Sequence, residues 1–296
     1  MFRNLRLYRL HSNWPESEEA LAEQLEQVAF KPCGPFSERS SGWEPPAAPE
    51  YPVFCRRVGG ADLLKLRSQV RLLPAAAVNE ALEERIAELQ ARTQREPSRR
   101  EKRDLKDEVH AELMPRALLK SERIRGFCLL ADKLIGIDTA SEAQAERFLD
   151  QLREALGSLQ VTPLKYQQPM GQLISQVFLG KGPSALRAGR ECRMQDASVG
   201  AATVSWADID LSDDDVQRHV HNGLKLARLG MVFEDLASFV VDQDGIIRKL
   251  KLQGLDGADD IGDEDPLARL DAEFVLTTGV AQRLVEAFRK ALGGFE

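Results

Sequence analysis

Cysteine is scarce and scattered: Cys33, Cys55, Cys128 and Cys192 are the only four in 296 residues. They have neither the paired spacing of metal ligands nor the density of a disulfide scaffold, which leaves four reduced, mostly buried thiols. Long apolar runs are missing as well. No stretch approaches the roughly 18 residues needed to cross a bilayer. The opening MFRNLRLYRL alternates charge with apolar residues and lacks the unbroken apolar core of a signal peptide. The expectation is a protein that stays in the cytoplasm. Carboxylates are absent from one segment: between Ala155 and Arg190 there is no Asp or Glu, while Lys165, Lys181, Arg187 and Arg190 are present.

What is present suits a globular chain. Hydrophobic residues make up 43% and charged residues 29%, and the length accommodates one large domain or two to three small ones. The net charge of −7 at first argues against a polyanionic partner, but distribution matters more than the sum. Acid gathers at Asp208 to Asp215 and Asp256 to Asp265, away from the basic segments. This segregation predicts one basic and one acidic surface on the same molecule.

The stretch from about Pro74 to Arg125 organises the reading. Val78, Leu82, Ile86 and Leu89, then Leu105, Val109 and Leu113, recur at spacings of three and four, a narrow apolar stripe on helices. Pro74 suits a helix start, Pro97 interrupts, and Ser98-Arg99-Arg100-Glu101 reads as a capping box. Two helices of about 20 and 15 residues follow, the first about 30 Å long. A stripe so narrow predicts a projecting arm that packs on itself or a partner. From Arg92 to Arg125 eleven basic residues (Arg92, Arg95, Arg99, Arg100, Lys102, Arg103, Lys106, Arg116, Lys120, Arg123, Arg125) outnumber seven acidic ones.

Either side of the arm the pattern is mixed. The first half reads β-α-β-β, arm, β-β-α-β. Asn4–Leu10 is a strand, and a helix follows Pro15 with Glu16, Glu18 and Glu19 in its first turn and Leu21, Leu25, Val28 and Ala29 on its buried face. Ser37–Pro52 is a loop, and Tyr51–Arg57 and Asp62–Leu73 form a hairpin around Gly59-Gly60. A second hairpin turns at Asp132-Lys133, and Ser141-Glu142-Ala143-Gln144 reads as a capping box. It opens a helix that ends before Gly157 and buries Ala145, Phe148, Leu149 and Leu152, with a strand at Val161–Leu164. In the second half strands are expected near Glu191–Met194, Ala202–Trp206, Leu224–Met231, Ser238–Val241 and Ile246–Leu252. Ser212 is expected to cap a short helix, Asp256–Asp265 to form an acidic loop, and Val280–Leu292 to form a terminal helix after the apolar Phe274–Thr277. The fold class is α+β: two α/β halves with mostly antiparallel sheets and a projecting helical arm. The expected division is 1–73 plus 121–165, 74–120 for the arm, and 166–296.

No enzyme signature stands out. Gly180-Lys181-Gly182-Pro183-Ser184 lacks the upstream glycine and the Ser/Thr after lysine that a phosphate loop uses. His219 and His221, two apart on a helix, point to different faces and suit a surface better than a metal site. Asp208, Asp210, Asp213, Asp214 and Asp215 have the chemistry for a two-metal nuclease, against the plainer reading of a solvated loop and helix cap. The expectation is a protein without enzymatic activity or cofactor. The basic arm has its own plain reading as intrahelical ion pairing. Nucleic-acid binding, if present, would run through phosphates, because no Asn/Gln or aromatic platform is interleaved with the arginines.

Several tags carry a resemblance. Phe2-Arg3-Asn4-Leu5 with Tyr8-Arg9-Leu10, Ala29-Phe30-Lys31-Pro32-Cys33-Gly34 and Gly42-Trp43-Glu44-Pro45-Pro46 come first in the chain. Leu73-Pro74, Leu105-Lys106-Asp107-Glu108-Val109, Met114-Pro115-Arg116-Ala117, Ile137-Asp138-Thr139-Ala140-Ser141 and Phe274-Val275-Leu276-Thr277-Thr278-Gly279 follow in order. Together they resemble the recombination-associated protein RdgC family from end to end. The resemblance implies a bacterial cytoplasmic, nucleoid-associated, non-catalytic protein. It also implies a ring-shaped homodimer that encloses double-stranded DNA without sequence preference and restrains the RecA recombinase. Leu118 and Leu119 stand where the family often has an aromatic, and Ala207-Asp208-Ile209 where it often has lysines. The expected DNA-binding set is therefore the eleven arm residues above with Lys181, Arg187 and Arg190. Two rival expectations are a protein-interaction scaffold that pairs helices through Val78, Leu82, Ile86 and Leu89, and a metal-dependent nuclease using Asp208 and Asp210.

Overall fold

The computed structural model describes residues 2–196, 202–253 and 265–296. The chain is α+β, with seven α-helices and two mostly antiparallel sheets among the described residues. In order these are β1 (Arg6–Leu10), α1 (Glu18–Gln27), β2 (Arg39–Trp43), β3 (Arg56–Val58), β4 (Ala61–Leu72), α2 (Ala75–Thr93), α3 (Arg99–Leu113), β5 (Leu118–Leu129), β6 (Leu134–Ile137), α4 (Glu142–Leu156), β7 (Val161–Pro163) and α5 (Met170–Phe178). There follow β8 (Leu186–Asp196), β9 (Thr203–Ala207), α6 (Asp214–His221), β10 (Leu224–Phe233), β11 (Ala237–Asp242), β12 (Ile247–Leu252) and α7 (Pro266–Ala291). Two compact units divide the chain: Met1–Gln27, Pro45–Lys65 and Ile124–Glu296 form the larger, Val28–Glu44 and Leu66–Arg123 the smaller.

In the larger unit β1 pairs antiparallel with β6 and β7, and β3 with the start of β4, Val58 facing Ala61 around the Gly59-Gly60 turn. The five-stranded sheet runs β12-β11-β10-β8-β9. Leu5 and Ile247 exchange both backbone hydrogen bonds, which joins the start of the chain to β12. Leu5, Phe127, Leu173, Ile174, Leu229, Phe233, Phe274 and Phe288 belong to a single apolar cluster. At about 25 cal/mol per Å² of buried apolar surface, a cluster of this kind supplies most of the drive to fold. Helix α4 follows its sequence pattern closely: Ala145, Phe148, Leu149 and Leu152 are its buried residues, and Gly157 closes it in the left-handed region at φ 73°.

Five local expectations are corrected. Helix α1 begins at Glu18, so Glu16, Val28 and Ala29 lie outside it, and the Ser17 hydroxyl accepts the Ala20 N–H. The loop expected over Ser37–Pro52 contains β2, which pairs with β4 from Arg39↔Val70 to Trp43↔Leu66. Ser141 holds the N-cap position of α4, but the capping box is not formed: its side chain makes no cap hydrogen bond, and Thr139 accepts the Ser141 N–H and donates to Gln144. Ser212 donates to Asp210, and Asp213 caps α6. Helix α7 is one helix of 26 residues that includes Phe274–Thr277. The Thr277 and Thr278 hydroxyls bond back to the Glu273 and Phe274 carbonyls and stay inside the helix. Helix α5, absent from the sequence reading, buries Met170, Leu173, Ile174, Val177 and Phe178, a complete one-sided helical period. Of the acidic loop, residues 256–264 lie outside the described residues, and Asp265 is the N-cap of α7.

In the smaller unit β2, the end of β4 and the start of β5 carry the helical pair α2–α3 between them. The segment Ala29–Gly34 lies on one face of this sheet. Phe30 stacks under the Arg67 guanidinium at 4.2 Å, and the Cys33 N–H donates to Gln69 Oε1 at 2.9 Å. Gly42 is required here, because a Cβ at this position would sit 2.5 Å from the Phe30 backbone.

Candidate nucleic-acid interface

The helical pair is built as its apolar spacing dictates. Val78 and Val109 are buried, with Leu82, Ile86, Leu89, Leu105 and Leu113 half-buried along the same seam. One ion pair crosses between the helices, Arg85 with Glu112 at 2.9 Å, and a second ties Arg95 of the intervening turn to Glu101 of α3 at 2.6 Å. Gln94 ends α2 in the left-handed region, Pro97 is buried in the turn, and Ser98 and Glu101 form the reciprocal capping box expected of them. The Arg95 guanidinium, then the Ser98 N–H and hydroxyl, hold the Glu101 carboxyl at about 2.

Charge on α3 is sided. Arg99, Arg103, Lys106 and His110 follow one another at spacings of four, three and four, which sets them on one line, with Lys102 beside it. Glu101, Asp104, Glu108 and Glu112 run down another side at spacings of three, four and four. Arg99, Lys102, Arg103 and Lys106 are exposed, and among the described residues no carboxylate pairs with them. The line from Arg99 to His110 covers about 16 Å at 1.5 Å per residue. Helix α2 turns Glu80, Glu83 and Glu84, all exposed, away from the seam. Residues 74–116 hold nine Arg and Lys against ten Asp and Glu, so this segment is cationic on one side and not as a whole.

The remaining expected residues are distributed unevenly. In the smaller unit Arg92, Arg116 and Lys120 are exposed, Arg100 lies 3.9 Å from Asp104, and Arg123 donates to Glu44 at 2.9 Å. Burial alone would push the Glu44 carboxyl up. Hydrogen bonds from Arg67 and Arg123 outweigh it and hold the group below the usual carboxylate range. In the larger unit Arg125 is half-buried, Lys181 is exposed, Arg187 pairs with Asp235, and Arg190 donates to Asp208 at 2.8 Å. Gly180–Ser184 follows the C-terminus of α5, where the helix dipole repels anions, whereas a phosphate loop precedes an N-terminus.

The acidic residues near β9 are engaged locally. Asp210 accepts the Ser212 N–H and hydroxyl at 2.9 and 2.7 Å, and these bonds lower its carboxyl. The His219 ring lies 5.0 Å from that of Trp206. Among the described residues no group of three His, Cys, Asp or Glu side chains is placed to hold a metal ion, and no helix is long and apolar enough to cross a membrane.

Arg67 and Arg71 were not singled out in the sequence. Their signal is the alternation Arg67, Gln69, Arg71 on β4, which puts three long polar side chains on one face of the strand. That face is the one covered by Ala29–Gly34, so the polar run reflects hydrogen bonding to a packed segment of chain.

The chain is similar to known proteins along its whole length. The family model described as "Putative exonuclease, RdgC" matches residues 1–295. A protein named recombination-associated protein RdgC from Shewanella halifaxensis (strain HAW-EB4) is 31% identical over 298 residues, covering 100% of this chain and 98% of the relative. Its namesake from Halorhodospira halophila (strain DSM 244 / SL1) is 32% identical over 297 residues, covering 99% and 98%. With the tags ordered from Phe2 to Gly279 and a match that spans nearly every residue, the chain belongs to the RdgC family of recombination-associated proteins.

Proposed function

We propose that this protein binds double-stranded DNA without sequence preference and without catalysis, through the cationic side of α3. The observation that carries the reading is the line of cations Arg99, Arg103 and Lys106, flanked by Lys102, with which no carboxylate pairs among the described residues. Such a line neutralises phosphates, and it contains no Asn or Gln to read base edges. Arg92, Arg95, Arg100, Arg116, Lys120, Arg123 and Arg125, with Lys181, Arg187 and Arg190, extend the surface. Those paired with exposed carboxylates exchange them for phosphate. In this reading residues 74–120 act as a projecting arm between domains at 1–73 plus 121–165 and 166–296. The chain works as a ring-shaped homodimer on nucleoid DNA in the cytoplasm and restrains RecA by occupying the duplex. Membership of a recombination-associated family supports the cellular context.

The test is duplex affinity against salt. The wild-type log–log slope is expected to fall by about 0.9 for each phosphate contact removed, so R99E/R103E/K106E flattens it and weakens unrelated sequences equally. Affinity that ignores both salt and these substitutions sinks the reading. The description of the family model as an exonuclease favours a second reading. Incubating plasmid and linear duplex with Mg²⁺ or Mn²⁺ separates the two: degradation that D208N/D210N abolishes would establish a nuclease.

A further inference from the structure

Arg71 is the last residue but one of β4, and it is half-buried. Its guanidinium makes no ion pair with a carboxylate among the described residues and is surrounded by backbone carbonyls. Nε and Nη2 donate to Gly34 O at 3.2 and 3.0 Å, and Nη2 reaches Cys33 O at 3.4 Å. Nη1 donates to the carbonyls of Met114 and Pro115 at 3.2 Å and Ala117 at 3.4 Å. Locally, the Met114 N–H bonds the His110 carbonyl and the Ala117 N–H bonds the Met114 carbonyl, and the Arg71 fork adds donors to the carbonyls of Met114, Pro115 and Ala117. Helix α3 runs into Met114 in helical conformation and then a 3-10 turn containing Pro115, with no glycine to form a left-handed closure. A cation at this end also complements the negative pole of the helix dipole. Only a planar fork of donors spans both sets of carbonyls, which a lysine ammonium does not reproduce.

We propose that Arg71 is a positioning residue for DNA binding: it locks the exit of α3 to the Cys33-Gly34 segment and so fixes the direction of the cationic line without touching DNA. The proposal rests on α3 being the DNA-binding element. Val78, Val109 and Met114 are buried at the same end of the pair, so the fold survives loss of Arg71 while the direction of α3 loosens.

The experiment compares the full-length chain with R71A and R71K by amide hydrogen exchange and by duplex binding across a salt series. Amides of residues 109–117 are expected to exchange faster in both variants, with the rest of the chain unchanged. Affinity is expected to fall about fivefold as preorganisation is lost, with the salt slope preserved because no phosphate contact has gone. R71K is the second variant should R71A fold poorly. Wild-type affinity in R71K overturns the proposal, since charge alone would then suffice. So does a slope reduced by about 0.9, which would place Arg71 on a phosphate, or unchanged exchange at 109–117. A wild-type chain that ignores duplex defeats the DNA reading instead, and the exchange data then decide alone whether Arg71 holds this segment.

Discussion

Asp62 is fully buried and receives both Nε and Nη2 of Arg57, at 2.7 and 2.8 Å. The Trp14 indole N–H adds a third bond at 2.6 Å, so the carboxylate is tied to a strand partner and to the segment before α1. Removing one member strands the other charge. D62A is expected to destabilise the protein by about 3–5 kcal/mol, read as a loss of melting temperature. A change below about 1 kcal/mol would show that the pair contributes little.

Glu101 gives a pH signature. Its carboxyl sits at about 2 in the folded chain against an ordinary 4.5, because it is bound first by Arg95 and then by Ser98. A depressed acid stabilises the fold fully above the ordinary value, and that contribution is lost as pH falls toward the folded one. The start of α3 is therefore expected to fray between about pH 4.5 and 2, seen as rising amide exchange at residues 99–103. E101Q should show the frayed exchange already at neutral pH.

Gly42 tests the packing beneath the sheet of the smaller unit. G42A places a methyl 2.5 Å from the Phe30 backbone, which cannot swing aside as a side-chain tip would. The expected loss is about 1–3 kcal/mol from overpacking, measured by denaturant titration. A neutral result would mean that the Ala29–Gly34 segment moves freely.

Among the cations, neutralising Arg103 is expected to lower the salt slope by about 0.9, as for one phosphate contact. Neutralising Arg187, which is already paired with Asp235 in the larger unit, should lower it less. Equal effects would argue against α3 as the principal contact.

Much of this fold was legible because period and punctuation agreed. Helix α4 has an unbroken apolar period with Gly157 behind it, and Ser98 with Glu101 starts α3 as read. The misses have physical causes. Strand β2 holds Arg39-Ser40-Ser41-Gly42-Trp43, whose composition favours a loop, and it exists because β4 pairs with it. At Ser141 the capping box does not form because Gln144, its expected reciprocal partner, accepts from the Thr139 hydroxyl, which also takes the Ser141 N–H. Helix α5 is short and bounded by Pro169 and Gly180, and nine residues hold too few turns for the apolar period to stand out. On the candidate surface the excess of arginine was visible, but its one-sidedness needed α3 to be observed with its boundaries. Arg71 was beyond sequence because its partners, Gly34 and Ala117, are 37 and 46 residues away.

Glu80, Glu83 and Glu84 are exposed on α2 toward the end where Arg85 meets Glu112, whereas Arg99 and Arg103 stand at the turn end of α3, so the helical pair carries opposite charge at its two ends. A duplex seated against Arg99 and Arg103 would leave Glu80, Glu83 and Glu84 facing the solvent, where a second duplex is repelled. Saturated DNA should therefore become coated and stay unbridged by this element, and the charge-neutral variant E80Q/E83Q/E84Q should begin to cross-link it.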